Sequence, residues 1–302
     1  MQSCVLNAPG KINLYLEITG DRPDGYHRVV MVLQSVELSD RVRLTLKGNE
    51  IRLRCEHPDV PHNESNLAYQ AAALLQERTG QEGGVEIAIE KQIPVGAGMA
   101  GGSTDAAAVL VGLNQLWNLG LTLQELQALG SELGSDIPFC VHGGTMLAIG
   151  RGEKLSPLPD LQPIAALLGK HRDLSVSTAW AYTHYKTAAK RDRGPISAML
   201  SAIAHQDAAE IGRYLYNDLE SVVLPYYPQV AQLKATLQQA GGFGATMSGS
   251  GPTVFALLPS IELAKALQAN LAAAHPEIAF WVTQTSPAGI SMVENTPVSP
   301  PA

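Results

Sequence analysis

The stretch Pro94-Val-Gly-Ala-Gly-Met-Ala-Gly-Gly-Ser-Thr-Asp105 constrains this chain more than any other. Its glycines Gly96, Gly98, Gly101 and Gly102 permit positive φ angles and a close approach of backbone to ligand. Ser103, Thr104 and Asp105 are good N-cap types for the apolar run behind them, so the spacing predicts a helix from Asp105 to Trp117. A glycine loop feeding a helix N-terminus presents free N–H groups and a positive dipole end, which suits a phosphate.

The letters Gly96-Ala-Gly-Met-Ala-Gly101 match the dinucleotide pattern G-x-G-x-x-G, and Val85, Ile87 and Ile89 form an alternating strand before them. The second half of that signature fails. A strand ending in an acidic residue must follow the helix, whereas Leu123 to Leu133, behind the capping residue Thr122, reads as another helix. A P-loop fails as well, because Gly102 stands where its lysine belongs. A phosphate loop of another type remains, and its cation comes from elsewhere. Lys11 and Lys91 are the candidates, Lys91 directly preceding the loop.

The remaining chain is that of an ordinary globular protein. Its 302 residues are 45% hydrophobic and 16% charged, enough for two domains and a sizeable core. A net charge of −7 argues against general affinity for nucleic acid or anionic membrane. Cys4, Cys55 and Cys140 are widely spaced and show no C-x-x-C pattern, which argues against a disulfide framework or zinc site, and no metal ligand set is expected. The N-terminus has no secretory pattern and no apolar run is long enough to span a bilayer, so a cytoplasmic protein without an obligatory protein partner is expected.

Elsewhere, Lys11 to Ile18 alternates as a strand, with Ile12, Leu14, Leu16 and Ile18 inward and Lys11, Asn13 and Tyr15 on the other face. The turn Pro23-Asp-Gly25 delivers Tyr26 and His27, which serve either to sandwich a flat heterocycle or simply to pack. Strands are expected at 29–36, 41–46 and 51–54, and a helix from Asn66 to Arg78 stopped by Gly80. Asp136, before Pro138, reads on its own as a helix or turn cap. Pro157 and Pro159 mark the best linker. Beyond it come helices at 177–185, 208–215, 229–239 and 261–274, and strands at 164–168, 253–258 and 278–282. A second glycine-rich stretch runs from Gly241 to Pro252, and the Pro-rich tail reads as disordered.

Three separated motifs occur in order: Ala8-Pro-Gly-Lys-Ile-Asn-Leu14, the glycine loop, and Ala245-Thr-Met-Ser-Gly-Ser-Gly251. With them the chain resembles the GHMP small-molecule kinases over nearly its whole length. Asp24-Gly-Tyr-His27 and Leu133-Gly-Ser-Asp-Ile-Pro138 fit the members that act on a cytidyl substrate. Two departures are Ala100, where many relatives carry glycine, and Thr104, which replaces a commoner serine.

The resemblance implies an α+β fold of two domains, mixed sheets packed by helices with a cleft between them. The divisions expected are residues 1–158 (ATP-binding), 159–290, and a tail at 291–302. It implies ATP as co-substrate, Mg2+ carried in with it, and a small diphosphocytidyl alcohol as acceptor; mevalonate, homoserine and sugars are the alternatives. Lys11 and Asp136 become the catalytic pair. Pro94, Val95, Gly96, Ala97, Gly98, Met99, Ala100, Gly101, Gly102, Ser103 and Thr104 cradle the nucleotide, with Asn66 and Lys91 near it. Tyr26 and His27 hold the cytosine, Asn13 lies near the reacting end, and Thr178 and the turn Gly249 to Gly251 approach from the second domain.

Overall fold

The computed structural model describes residues 2–185 and 195–296. The first part contains β1 (Ser3–Asp21), β2 (His27–Leu46), β3 (Ile51–Cys55), α1 (Leu67–Thr79), β4 (Val85–Glu90), α2 (Gly101–Leu116), α3 (Leu123–Leu133), α4 (Ile137–His142), β5 (Thr145–Gly150) and β6 (Lys154–Pro157). There follow β7 (Ala165–His171), α5 (Thr178–His184), α6 (Ile196–Ala204), α7 (Ala208–Arg213), β8 (Tyr216–Asn217) and α8 (Glu220–Tyr226). The chain continues through α9 (Pro228–Gln238), β9 (Gly244–Met247), β10 (Val254–Leu258), α10 (Ile261–Ala274), β11 (Ile278–Gln284) and β12 (Ser291–Thr296).

The strands form two sheets. The larger is mixed, in the order β12-β1-β2-β4-β3, with β5 and β6 extending from β2 and β8 lying parallel to β1. The smaller, β11-β7-β10-β9, is antiparallel throughout. Ile12, Leu14 and Val32 of the larger sheet share a core with Ala166 and Leu168 of β7 and Phe255 and Leu257 of β10, so the sheets are joined by apolar packing. The other face of the larger sheet carries Leu6, Leu44 and Ile87 against Leu75 of α1 and Leu110 and Leu113 of α2.

Local signals explain several elements. Asn66 caps α1 by accepting from the Ala68 N–H, and Gly80 ends it in the left-handed region at φ 67°. Thr122 and Glu125 form a reciprocal capping box at the start of α3. The expected break after residue 158 falls between β6 and β7, although β8 and β12 return to the larger sheet.

Four expectations are corrected. The strands expected at 29–36 and 41–46 are one strand, β2, because the polar residues between them stay paired with β1, Pro9 against Ser39 and Ala8 against Asp40. In β1 the pairing jumps from Asn13–Leu33 to Tyr15–Val32. That bulge adds one residue and reverses the face. Tyr15 therefore joins the core with Ile12 and Leu14, while Leu16 and Ile18 face the other cluster. Helix α2 starts at Gly101 rather than Asp105, so Ser103, Thr104 and Asp105 lie inside it and none caps it. Finally, 291–296 is no disordered tail: it is β12, antiparallel to Ser3–Asn7 of β1, whose edge groups complete a ladder that composition does not reveal. Residues 297–302 lie outside the described residues. The short elements α6, β8, α8 and β9 carry no clear periodic signal and were not expected.

Gly112 sits where α2 crosses the larger sheet; a Cβ there would meet Leu44 at 2.5 Å and Leu6 at 2.9 Å. Gly112→Val is expected to destabilise the fold by roughly 1–3 kcal/mol through overpacking. The readout is a lower urea midpoint at unchanged slope; an unaltered midpoint would show that the crossing has slack.

Candidate active site

A cavity of about 840 Å³ opens beside the glycine loop. Its lining includes Lys11 and Asn13 of β1, loop residues Pro94 to Gly98, Ala100 to Ser103, Asp136, the turn residues Gly249 and Ser250, and Thr178 and Tyr182 of α5. Segments more than 200 residues apart in sequence thus meet around one space.

The loop runs through Gly96 at φ 61° and Gly98 at φ 72°, then through Ala100 at φ 59°, and enters α2. No side chain caps that helix. Its first intrahelical bond is Thr104 N–H to the Ala100 carbonyl at 2.9 Å, which leaves the preceding amides without helical partners. Such an end is an anion site by dipole and donor geometry together. Met99 and Thr104, expected among the nucleotide contacts, are instead buried away from the cavity, Met99 in the core that joins the sheets. A loop of alternating hand must turn some side chains inward, and the larger ones go.

Lys11 is 4% exposed, yet among the described residues its ammonium meets only neutral acceptors: Asn13 Oδ1 at 2.7 Å and the Gly98 carbonyl at 2.9 Å. An ammonium carries three donors, so one is left for a ligand. Ser248 Oγ donates to the same Gly98 carbonyl at 3.0 Å, fixing the second glycine-rich turn against the first. Asp136 occupies the N-cap position of α4 without a side-chain capping bond, so the carboxylate is not consumed as the cap its position suggested. Among the described residues no ion pair joins it to Lys11; the two share the cavity lining.

Lys91 departs from the part that its place in the sequence suggested. Its ammonium is buried between Asp40 and Asp105, at 2.7 Å from Asp105 Oδ2. Burial alone would lower its pKa, but the two carboxylates outweigh it and raise the value. Asp40 also accepts the N–H groups of Gln92 and Ile93 at 2.6 and 2.8 Å. A cation neutralised twice is a pin for both ends of the loop, not a free phosphate contact. Asn66 lines the cavity as expected, with its side chain committed to the α1 cap and the Pro61 carbonyl.

The remaining wall is aromatic. His27 Nδ1 lies 3.0 Å from Asp21 Oδ1 and Nε2 lies 3.0 Å from the Tyr182 carbonyl, with the imidazole stacked on the Tyr182 ring at 5.6 Å. Its ring nitrogens are therefore occupied, and the face and the adjoining backbone are what it offers a ligand. Tyr26 is 54% exposed and carries the Arg151 guanidinium over its ring at 5.2 Å. Burial raises the Tyr182 phenol pKa, and the nearby Asp136 charge adds to the rise. Thr178 Oγ1 and Ser250 Oγ are 2.9 Å apart, joining α5 to the second glycine turn. Tyr182, Arg151 and Asp40 were missed in the sequence, and Asp105 was expected there only as a helix cap. Only the Gly150-Arg-Gly152 turn left a local trace of one of them.

The chain was compared with known proteins. The family model for the GHMP kinases N terminal domain matches residues 66–144, and that for the GHMP kinases C terminal matches residues 199–277. A 4-diphosphocytidyl-2-C-methyl-D-erythritol kinase of Synechococcus sp. is 54% identical over 299 residues, 96% of each chain. The same enzyme of Gloeobacter violaceus is 54% identical over 299 residues, 98% of each. A crystal structure of 4-(cytidine 5'-diphospho)-2C-methyl-D-erythritol kinase aligns with TM-score 0.79 at 33% identity, over 93% of this chain and 98% of that one. No helix among the described residues is long and apolar enough to cross a membrane.

Asp105 supplies a pH test of this site. Burial raises its pKa to about 7, Lys91 opposing and Asp40 adding to the rise. The folded state then binds more protons than the unfolded chain between the ordinary carboxylate range and about 7, so this group's contribution to stability falls as pH rises through that window. Asp105→Asn cannot titrate and is expected to flatten that part of the profile. Parallel stability-against-pH curves for the two proteins would refute the assignment.

Proposed function

The chain belongs to the GHMP kinases and, within them, to the 4-diphosphocytidyl-2-C-methyl-D-erythritol kinases, and on that premise we propose how this cavity performs its reaction. The γ-phosphoryl group of ATP passes to the 2-hydroxyl of 4-diphosphocytidyl-2-C-methyl-D-erythritol, giving ADP and a phosphomonoester in non-mevalonate isoprenoid precursor synthesis. One observation carries this reading. The uncapped start of α2, a lysine and an aspartate that have no ion-pair partner among the described residues, and an aromatic wall all line the same cavity.

Phosphoryl transfer needs positioning and charge neutralisation more than covalent chemistry. The amides of the glycine loop and of the first turn of α2 hold the triphosphate. Lys11 gives its spare N–H to the transferring group and offsets charge that builds there. Asp136 orients the acceptor hydroxyl and takes its proton as the oxygen attacks phosphorus. Tyr26, His27 and Tyr182 hold the cytosine, Asn13 keeps Lys11 aimed, and Thr178 with Ser250 closes the acceptor side. Lys91 and Asn66 support the nucleotide by fixing the loop and the start of α1.

Mg2+ fits as an ion carried in by the nucleotide. Among the described residues no group of three or more His, Cys, Asp or Glu forms a cage, but Asp136, Ser103 and the buried, unpartnered Oδ1 of Asp105 supply oxygen donors beside the loop. When bound, the ion withdraws charge from the phosphate oxygens.

Purified protein with ATP is expected to phosphorylate the diphosphocytidyl alcohol in preference to mevalonate, homoserine or galactose; a different preferred acceptor would overturn the substrate assignment. Asp136→Asn is expected to lower kcat by roughly 10²–10⁴-fold with ATP affinity retained, and Lys11→Met comparably. Near-normal turnover in either folded variant would remove that residue from the mechanism. His27→Ala is expected to raise KM for the acceptor far more than KM for ATP, and equal rises would remove its acceptor role.

A further inference from the structure

The charges around the cavity do not all have a part in the reaction described above. The lysines and arginine that line it are Lys11, Lys91 and Arg151. Lys91 is neutralised by two carboxylates, and Lys11 is held under the glycine loop by Asn13 and Gly98. Arg151 is different. Among the described residues its guanidinium has no ion pair and no hydrogen bond; its one specific contact is the ring of Tyr26.

The backbone holds Arg151 there. It sits in the tight turn between β5 and β6, flanked by Gly150 at φ 82° and Gly152 at φ 107°. Glu153 accepts the Arg151 backbone N–H at 2.6 Å, so that carboxylate closes the turn and does not pair with the guanidinium. A Cβ at 150 would meet the Glu153 carboxylate at 2.8 Å, and one at 152 would meet Met31 of the cavity wall at 2.7 Å. The turn, set by two positive-φ glycines and closed by Glu153, delivers a cation that is unpaired among the described residues to the aromatic wall.

A guanidinium stacked on a ring uses its face and leaves the edge N–H groups in a planar fork. That fork matches phosphate oxygens and forms charge-assisted, bidentate hydrogen bonds with them. The donor triphosphate already has the loop amides, the α2 dipole and Lys11. The acceptor also carries two phosphates, joined through its ribose to the base that Tyr26 and His27 hold.

We propose that Arg151 binds the diphosphate of the acceptor and makes this site selective for a pyrimidine nucleoside diphosphate group over an uncharged alcohol. This rests on the diphosphocytidyl acceptor of the preceding subsection. Lys11 then serves the reacting end, and Arg151 serves the far side of the same substrate. The cation is placed by a turn remote from the three motifs that mark the family.

Titrations with cytidine and with CDP, both with saturating ADP to occupy the donor side, separate the possibilities. The wild-type protein is expected to bind CDP more tightly than cytidine. Arg151→Met is expected to weaken CDP roughly 10- to 100-fold while leaving cytidine within about twofold, and Arg151→Lys to fall between. In turnover, Arg151→Met is expected to raise KM for the acceptor with KM for ATP unchanged. Equal weakening of CDP and cytidine would overturn the proposal, since Arg151 would then act only by supporting Tyr26. Undiminished CDP affinity in Arg151→Met, in a protein that phosphorylates the diphosphocytidyl acceptor, would overturn the proposal alone. A wild-type protein that binds neither probe and phosphorylates another alcohol would overturn the acceptor assignment and this proposal together.

Discussion

The carbonyl of Gly98 is the point on which the site depends. It accepts from the Lys11 ammonium at 2.9 Å and from Ser248 Oγ at 3.0 Å, while the Lys11 backbone N–H is bonded to the Met99 carbonyl at 3.1 Å. One peptide group therefore ties β1, the first glycine loop and the second glycine turn. The two glycine-rich turns also pack closely: a Cβ on Gly98 would fall 2.1 Å from the Ser248 carbonyl oxygen, and one on Gly249 would fall 3.0 Å from the Gly98 carbonyl oxygen and 3.1 Å from the Lys11 ammonium. Both glycines also adopt positive φ, so steric room and backbone conformation require glycine at once. What this geometry achieves is a buried ammonium held beneath the glycine loop by neutral oxygens, with no carboxylate partner among the described residues.

The second lysine near the loop shows the opposite solution. Lys91 enters the same neighbourhood but meets Asp40 and Asp105, and its charge is spent holding the loop to β2 and α2. Burial in a place that excludes water raises the pKa of Asp105, and the second carboxylate around the one ammonium adds to the rise. Proximity in sequence made Lys91 a natural phosphate contact. The difference between the two lysines lies wholly in their partners, and those partners come from other segments.

Much of the chain was legible where a signal is local. The capping box at Thr122, the Gly80 stop and the alternation from Val85 to Ile89 specify their elements with a few neighbouring side chains. The strand failures share a cause in pairing over distance, and the helix failure in one backbone angle. The bulge at Leu14 is a property of the β1–β2 ladder, and it reverses which face Tyr15 occupies. The strand β12 exists because β1 offers it an edge. The early start of α2 depends on Ala100 holding φ 59°, a conformation that costs an alanine about 1 kcal/mol or more relative to glycine. The sequence marked Ala100 as a departure from the family pattern without showing that it carries the turn into the helix.

By itself the sequence determined that this chain has a glycine loop at a helix start, of a kind that suits a phosphate, and that neither a dinucleotide fold nor a P-loop accounts for it. The order of its three motifs determined the family, because glycine spacing and turn chemistry are written in adjacent residues. Tertiary structure decided which charges remain available. Among the described residues Lys91 is neutralised, Lys11 keeps a spare donor, Asp136 is spared from capping, and Arg151 is left unpaired on the Tyr26 ring. Whether a charged side chain is spent or free depends on which groups lie within a few ångströms, and only the folded chain brings those groups together.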